Sequence, residues 1–251
     1  MSLDPWMLLT VAGALLAAGF VKGVVGLGLP AVTLALLTLT IGLKPAMAVL
    51  LAPSIVTNLQ QAATGGQARA ILRRFWPFLV PATLLVPAGT AVLAGSDGVA
   101  LSGLLGLSLI AYAGFGLRRW RLTLSAGAER VVSPLVGVAN GLLTGMTGSF
   151  AVPGVPYLQA LGLQRDMLVQ AMGILFSLST VALALSLGGG GLLSAELGAV
   201  SAIAVLPAVA GMWLGRRCRA RLSEEGFRRL LLGGLALIGL HLAIAAVLKL
   251  W

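Results

Sequence analysis

Apolar residues run along this chain in blocks too continuous to be one face of a helix. Residues 6–41, 45–66, 75–95, 99–117, 131–161, 167–187, 192–214 and 229–248 are almost uniformly apolar, and polar residues collect in the short gaps. A helix apolar on every side is surrounded by lipid or by other apolar helices, and about 20 residues suffice to cross the hydrocarbon core. The six shorter blocks have that length. Blocks 6–41 and 131–161 are too long for one crossing, and each carries glycine and proline near its middle, so each is predicted to fold back on itself as a broken-helix hairpin. The expected fold is an all-α polytopic membrane protein with 8–10 membrane segments.

Composition agrees with that class. With 59% hydrophobic residues, 10% charged residues and a mean hydropathy of +1.03, the chain holds more apolar surface than a single soluble core can use. A net charge of +10 would suit nucleic acid, but the arginines lie in short gaps between apolar blocks instead of forming one face with interleaved aromatics, which argues against that partner. The single cysteine, Cys218, excludes an intramolecular disulfide and reads as a reduced loop thiol. Asp4 is the one charge before Lys22, so no cleaved secretory signal is expected.

Charge also sets an orientation. Arg69, Arg73 and Arg74 form one cluster, Arg118, Arg119, Arg121 and Arg130 a second, and Arg216, Arg217, Arg219, Arg221, Arg228 and Arg229 a third, while Asp97 and Glu196 lie in the intervening gaps. The positive-inside rule makes the three clusters cytoplasmic. Both termini are then expected outside, in the periplasm of a cell with an inner membrane, with Lys44 and Lys249 as the external cations.

The two halves repeat each other. Gly19-Phe-Val-Lys-Gly23-Val-Val-Gly26-Leu-Gly28-Leu-Pro30 matches Gly137-Val-Ala-Asn-Gly141-Leu-Leu-Thr-Gly145-Met-Thr-Gly148, which leads to Pro153; Gly42, Leu43, Met47 and Pro87 match Gly162, Leu163, Met167 and Pro207 at a shift of 120 residues. Repeat 1 covers 1–117 (hairpin 6–41, helices 45–66, 75–95 and 99–117). A cytoplasmic linker covers 118–130, and repeat 2 covers 131–251 (hairpin 131–161, helices 167–187, 192–214 and 229–248). Five helical segments per repeat make the copies inverted, a design suited to alternating access.

Candidate chemistry gathers at the hairpins. Pro30 opens a half-helix running to Ile41, and Pro153 or Pro156 opens its counterpart running to Leu161, since proline suits the first helical turn and glycine permits the sharp reversal. Two such N-termini facing a common midplane favour an anion through their free N–H groups and dipoles. Gly26, Gly28, Gly145, Thr147, Gly148 and Ser149 are the backbone and hydroxyl candidates. Gly19/Gly23 and Gly137/Gly141 have the Gly-x-x-x-Gly spacing of close helix packing, so Gly19→Ala is expected to be milder than Gly28→Val or Gly148→Val. Lys22 lies inside an apolar block and reads either as a counter-charge facing a cavity or as a snorkelling cation; Asn140 is its repeat partner. Thr57, Asn58 and Gln61 share a helix face, with Ser177, Ser179 and Thr180 at the equivalent depth of the other half. They read as ligand contacts or as interhelical and back-bonding groups. His241 is a proton relay or a packing residue.

On Gly19–Pro30, Gly42–Met47, Gly137–Pro156 and Gly162–Met172 the chain resembles the TauE/SafE family of sulfite-exporter and toluene-sulfonate-uptake permeases, over nearly its whole length. That resemblance implies a bacterial or archaeal inner-membrane carrier for sulfite, sulfoacetate, sulfonates or similar organic anions, with protons as a coupling ion. Leu29-Pro30 and Ser149-Phe150 stand where relatives carry a longer glycine run. A passive anion channel is the alternative, because one half-helix site serves a pore equally. An intramembrane serine protease would need Ser149 with His241, and Gly145-Met-Thr147-Gly148-Ser149 lacks the Gly-x-Ser-Gly pattern of rhomboids; no enzyme activity is expected. Neither a nucleotide-binding loop nor a metal-ligand pattern is visible in the sequence, so no cofactor is expected.

Overall fold

A computed structural model describes residues 4–118 and 124–250; positions 119–123 of the expected linker lie outside the described residues. The described residues form helices and turns, with no strand among them. Helix α1 (Pro5–Val25) starts at Asp4, whose carboxylate accepts from Trp6 N, and stops at Gly26, which adopts a left-handed φ of 87° while its N–H returns to Lys22 O at 2.8 Å. Gly28, at φ 104°, starts α2 (Leu29–Ile41), with Pro30 in its first turn. Two positive-φ glycines separated by Leu27 thus break the first long block, and α2, at about 1.5 Å per residue, is a half-membrane helix.

The other helices of the first half are α3 (Leu43–Ala63), α4 (Ala68–Leu84), α5 (Val86–Ala94) and α6 (Val99–Arg118). The second half contains α7 (Ala126–Thr147), α8 (Gly154–Ala160), α9 (Arg165–Gly189), α10 (Ala195–Ile203), α11 (Val205–Cys218) and α12 (Glu224–Leu250), with a 3-10 turn at Arg219–Arg221. Taking α4 with α5, and α10 with α11 and its 3-10 turn, seven stretches among the described residues are long and apolar enough to cross a membrane: Pro5–Val25, Leu43–Ala63, Ala68–Ala94, Val99–Arg118, Arg165–Gly189, Ala195–Arg221 and Glu225–Leu250. The matched Pro87 and Pro207 each sit just after an interruption, at Leu85 and Ala204 respectively. Proline lacks the N–H that would continue the ladder.

Several elements differ from the sequence-based boundaries: α7 begins at Ala126, within the expected 118–130 linker, α12 begins at Glu224, ahead of block 229–248, and α11 runs past block 192–214 to Cys218. The span expected from residue 75 begins at Ala68, so Arg69, Arg73 and Arg74 ride on α4 instead of a loop. Gly65 and Gly66, both at positive φ, make the turn before it, and Arg74 pairs with Glu129 at 2.8 Å, holding the N-terminal parts of α4 and α7 together. The returning limb of the second hairpin is mostly not helical: Gly148–Pro153 is irregular, and α8 has 7 residues. Pro153 and Pro156 remove two N–H donors from this short stretch, which limits the helix that can form there.

Most of the helices pack mainly on the opposite half, whereas the short α2 and α8 lie chiefly against neighbours in their own half. Helix α1 lies against α11, α7 against α4 and α5, α3 against α9, and α6 against α12, while α3 also meets α10 and α9 also meets α4. Exchanging every helix for its counterpart in the other half turns α1–α11 into α5–α7 and α3–α10 into α4–α9 and leaves α3–α9 and α6–α12 unchanged, whereas α4–α7 has no comparable α1–α10 contact. Small residues let the backbones touch: a Cβ on Gly19 would lie 2.0 Å from Ala208 O, and one on Gly211 would lie 2.1 Å from Leu16 O. This is the close crossing that membrane helices use in place of a hydrophobic driving force. Pro53 inside α3 frees the carbonyl of Val49, which Ser201 Oγ of α10 takes at 2.9 Å, and the same hydroxyl accepts from Ala52 N at 2.9 Å.

The helix ends sort charge. Arg216 donates to Gln60 at 3.3 Å and Gln67 N to Gln170 at 2.8 Å, so the ends of α3 and α11 and the starts of α4 and α9 share one face with the described arginines. Lys44 donates to Ser96 O at 2.6 Å on the opposite face, where α12 brings Lys249.

Candidate functional site

The last turn of α1 carries Lys22 into the protein interior, where it is 5% exposed. Its Nζ donates to Thr57 Oγ1 at 3.1 Å and to Asn58 Oδ1, both on α3. Thr57 passes its own proton to Pro53 O at 2.8 Å. Among the described residues no carboxylate pairs with Lys22, and Asn58 Nδ2 is buried without a partner. A buried ammonium held by neutral oxygens is an uncompensated positive charge, with one N–H still free.

The two helix breaks meet. Leu27, Gly28, Pro30 and Ala31 from the first and Ser149, Phe150 and Ala151 from the second line one cavity of about 10 Å³, closed by Tyr112 and Phe176. That is no larger than a single water. On the first side no side chain caps α2, so its N-terminal amides are left to whatever lies in front of them. On the second side the backbone is held in place: Gly148 N donates to Thr144 O at 2.8 Å, Ser149 N to Thr147 Oγ1 at 3.2 Å and Gly154 N to Asn140 Oδ1 at 2.9 Å, while Thr144 Oγ1 donates to Ser149 O at 3.3 Å. Thr147 and Asn140 therefore shape the break.

Several expected site residues stand elsewhere. Gly145 lies in the crossing of α7 with α5, where a Cβ would come within 2.1 Å of Val86 O. Gly148, at φ 73°, touches α2 and α3, since a Cβ there would lie 2.8 Å from Met47 Cγ and 3.2 Å from Leu34 Cδ2. Gly26 faces open space. Ser177 and Thr180 bond back to Gly173 O and Phe176 O, respectively, within α9, whereas Ser179 Oγ is buried without a partner. Gln61 belongs to a reciprocal clamp: its Nε2 donates to Val169 O at 2.8 Å, and Gln170 Nε2 donates to Ala62 O at 2.9 Å. Lys22 lines none of the cavities described here, so the Lys22 cluster and the cavity at the breaks are neighbouring features of the α1–α2 hairpin, not one pocket.

Tyr112 was not singled out from the sequence. It and Leu27 line both the central cavity and a second cavity of about 70 Å³, which also contains Pro156, Gln159 and Arg228 and lies toward the arginine-bearing face. A phenol in the otherwise apolar block 99–117 was the available signal, because a buried tyrosine hydroxyl normally seeks a partner. No hydrogen bond to it occurs among the described residues. His241, with Lys44 and Lys249, lines a larger cavity at the opposite face.

No curated protein and no solved structure matches the chain. The family model described as "Sulfite exporter TauE/SafE" matches residues 11–242. That span includes both helix breaks, Lys22 and the α3–α9 pair, and the chain belongs to the sulfite exporter TauE/SafE family of membrane transport proteins.

Proposed function

We propose that this protein is a secondary carrier for a small sulfur-containing or organic anion, sulfite, sulfoacetate or a sulfonate, which it binds where the two helix breaks face each other. The convergence of Gly28–Ala31 and Ser149–Ala151 on one closed cavity carries this reading. Uncapped amides at the start of α2 supply N–H donors and the positive end of a helix dipole. Lys22 adds positive charge without an acidic partner, which favours an anion over a cation in the same core. A cavity this small must open to admit even a four-atom anion. Binding and conformational change are then linked, as alternating access requires.

The exchange of contacts between halves supports inverted repeats, and the sorting of arginines to one face supports a cytoplasmic orientation for that face. Both termini would then lie outside. Leu27 and Tyr112 form the partition toward the cytoplasm. The partition on the other side is thicker: Ala31 and Thr38 share a face of α2, and Leu34 and Ala35 fill the turn between them, with Leu34 packed near Gly148.

Counterflow tests the carrier. In proteoliposomes, unlabelled sulfite inside is expected to accelerate uptake of radiolabelled sulfite, and Gly28→Val is expected to abolish it. Uptake indifferent to internal sulfite would identify a channel.

A further inference from the structure

We propose that the cavity at the face opposite the arginines is a second binding site, for a small organic oxyanion with an apolar tail, separate from the cavity at the helix breaks. This cavity measures about 360 Å³ and lies between the end of α2, the start of α3, the start of α6 and the end of α12. That volume falls within the range of small-molecule sites. Lys44, Lys249 and His241 line it. The chain has three lysines, so two of them converge here while the third is Lys22.

Their charge is available. Asp97 also lines the cavity, but its carboxylate accepts from Val99 N at 2.9 Å and pairs with neither lysine. Lys44 spends one N–H on Ser96 O and keeps two. At the inner end stands Thr38, 8% exposed, whose hydroxyl is buried with no hydrogen-bond partner among the described residues. The remaining wall is apolar, with Leu39, Leu242 and Ala246 prominent. Cationic groups at the rim and an apolar wall match an anionic head joined to a short hydrocarbon tail. They do not match a simple halide.

Because Thr38 and Ala31 lie on one face of α2, a ligand here is one layer of side chains away from the helix breaks. The site would gather anion on that side. Binding here is independent of binding at the helix breaks.

Lysine acylation by a membrane-impermeant ester, read residue by residue by mass spectrometry, tests the site on the intact protein. Lys22 is buried, so Lys44 and Lys249 report. Butanesulfonate at millimolar concentration is expected to slow acylation of both lysines several-fold relative to chloride at equal ionic strength, and methanesulfonate to protect less. Lys44→Gln is expected to weaken protection of Lys249 without lowering the melting temperature. Gly28→Val is expected to leave protection intact, which separates this site from the central one. Equal rates in butanesulfonate and chloride would overturn the proposal. So would protection lost in Gly28→Val, or protection by anionic lipid nanodiscs that butanesulfonate cannot displace, since that would assign the cavity to a lipid headgroup.

Discussion

Asn140 Oδ1 accepts a hydrogen bond from Gly154 N at 2.9 Å, so a side chain in the middle of α7 caps the helix that returns after the second break. Its repeat partner Lys22 reaches instead across to α3. Equivalent positions thus serve different ends: one fixes the shape of a break, and the other delivers charge beside the first. Asn140→Ala leaves a buried amide unpaired at a cost of about 1–3 kcal/mol. A lowered melting temperature in detergent, with transport reduced in parallel, is the expected result; an unchanged melting temperature would show that the cap is dispensable.

Lys22→Met removes the ammonium while keeping length and apolar packing. Burying that charge costs about 2.5–3.5 kcal/mol on insertion scales, so its removal offsets much of what is lost when Asn58 and Thr57 lose their donor. Folded yield is expected to persist and sulfite transport at limiting concentration to fall at least tenfold. Full transport would remove Lys22 from the function.

The glycines separate into two kinds. From spacing alone Gly19→Ala reads as mild, but its Cβ would meet the Ala208 backbone carbonyl at 2.0 Å, and two backbones cannot yield as a side-chain tip can. Overpacking of about 1–3 kcal/mol or more is expected. Gly26→Ala, with open space and φ 87°, should lose only the left-handed penalty of about 1–2 kcal/mol. Thermal unfolding of the two variants ranks them, and a larger loss at Gly26 would contradict the α1–α11 crossing.

Orientation is open to direct measurement because Cys218 is the single cysteine. In a Cys218→Ser background, Ala195→Cys at the start of α10 is expected to react with an impermeant maleimide on intact cells. Ala70→Cys, exposed in the first turn of α4, is expected to react only after lysis. The reverse pattern would place the arginine-bearing face outside.

Much of this architecture was legible in the chain because lipid as solvent imposes simple rules. A backbone that must satisfy its own hydrogen bonds becomes helix, about 20 apolar residues make a span, and Gly26-Leu-Gly28-Leu-Pro30 can hardly continue one. The sequence therefore determined the all-helical class, the six single crossings, the first break and the segregation of arginine. What it left undecided depended on which surfaces meet. Gly145 and Gly148 look alike in the repeat, and only the approach of α5 makes the former a packing residue. Ser177 and Asn58 lie at similar depth, but just one of them faces Lys22. The pairing of Ser149 with Pro30 across a cavity, the placing of Tyr112 between two cavities and the gathering of Lys44, Lys249 and His241 around a third all join residues far apart in the chain. Periodicity along one helix carries no information about the rotation of another, so these relationships exist only once the helices have packed.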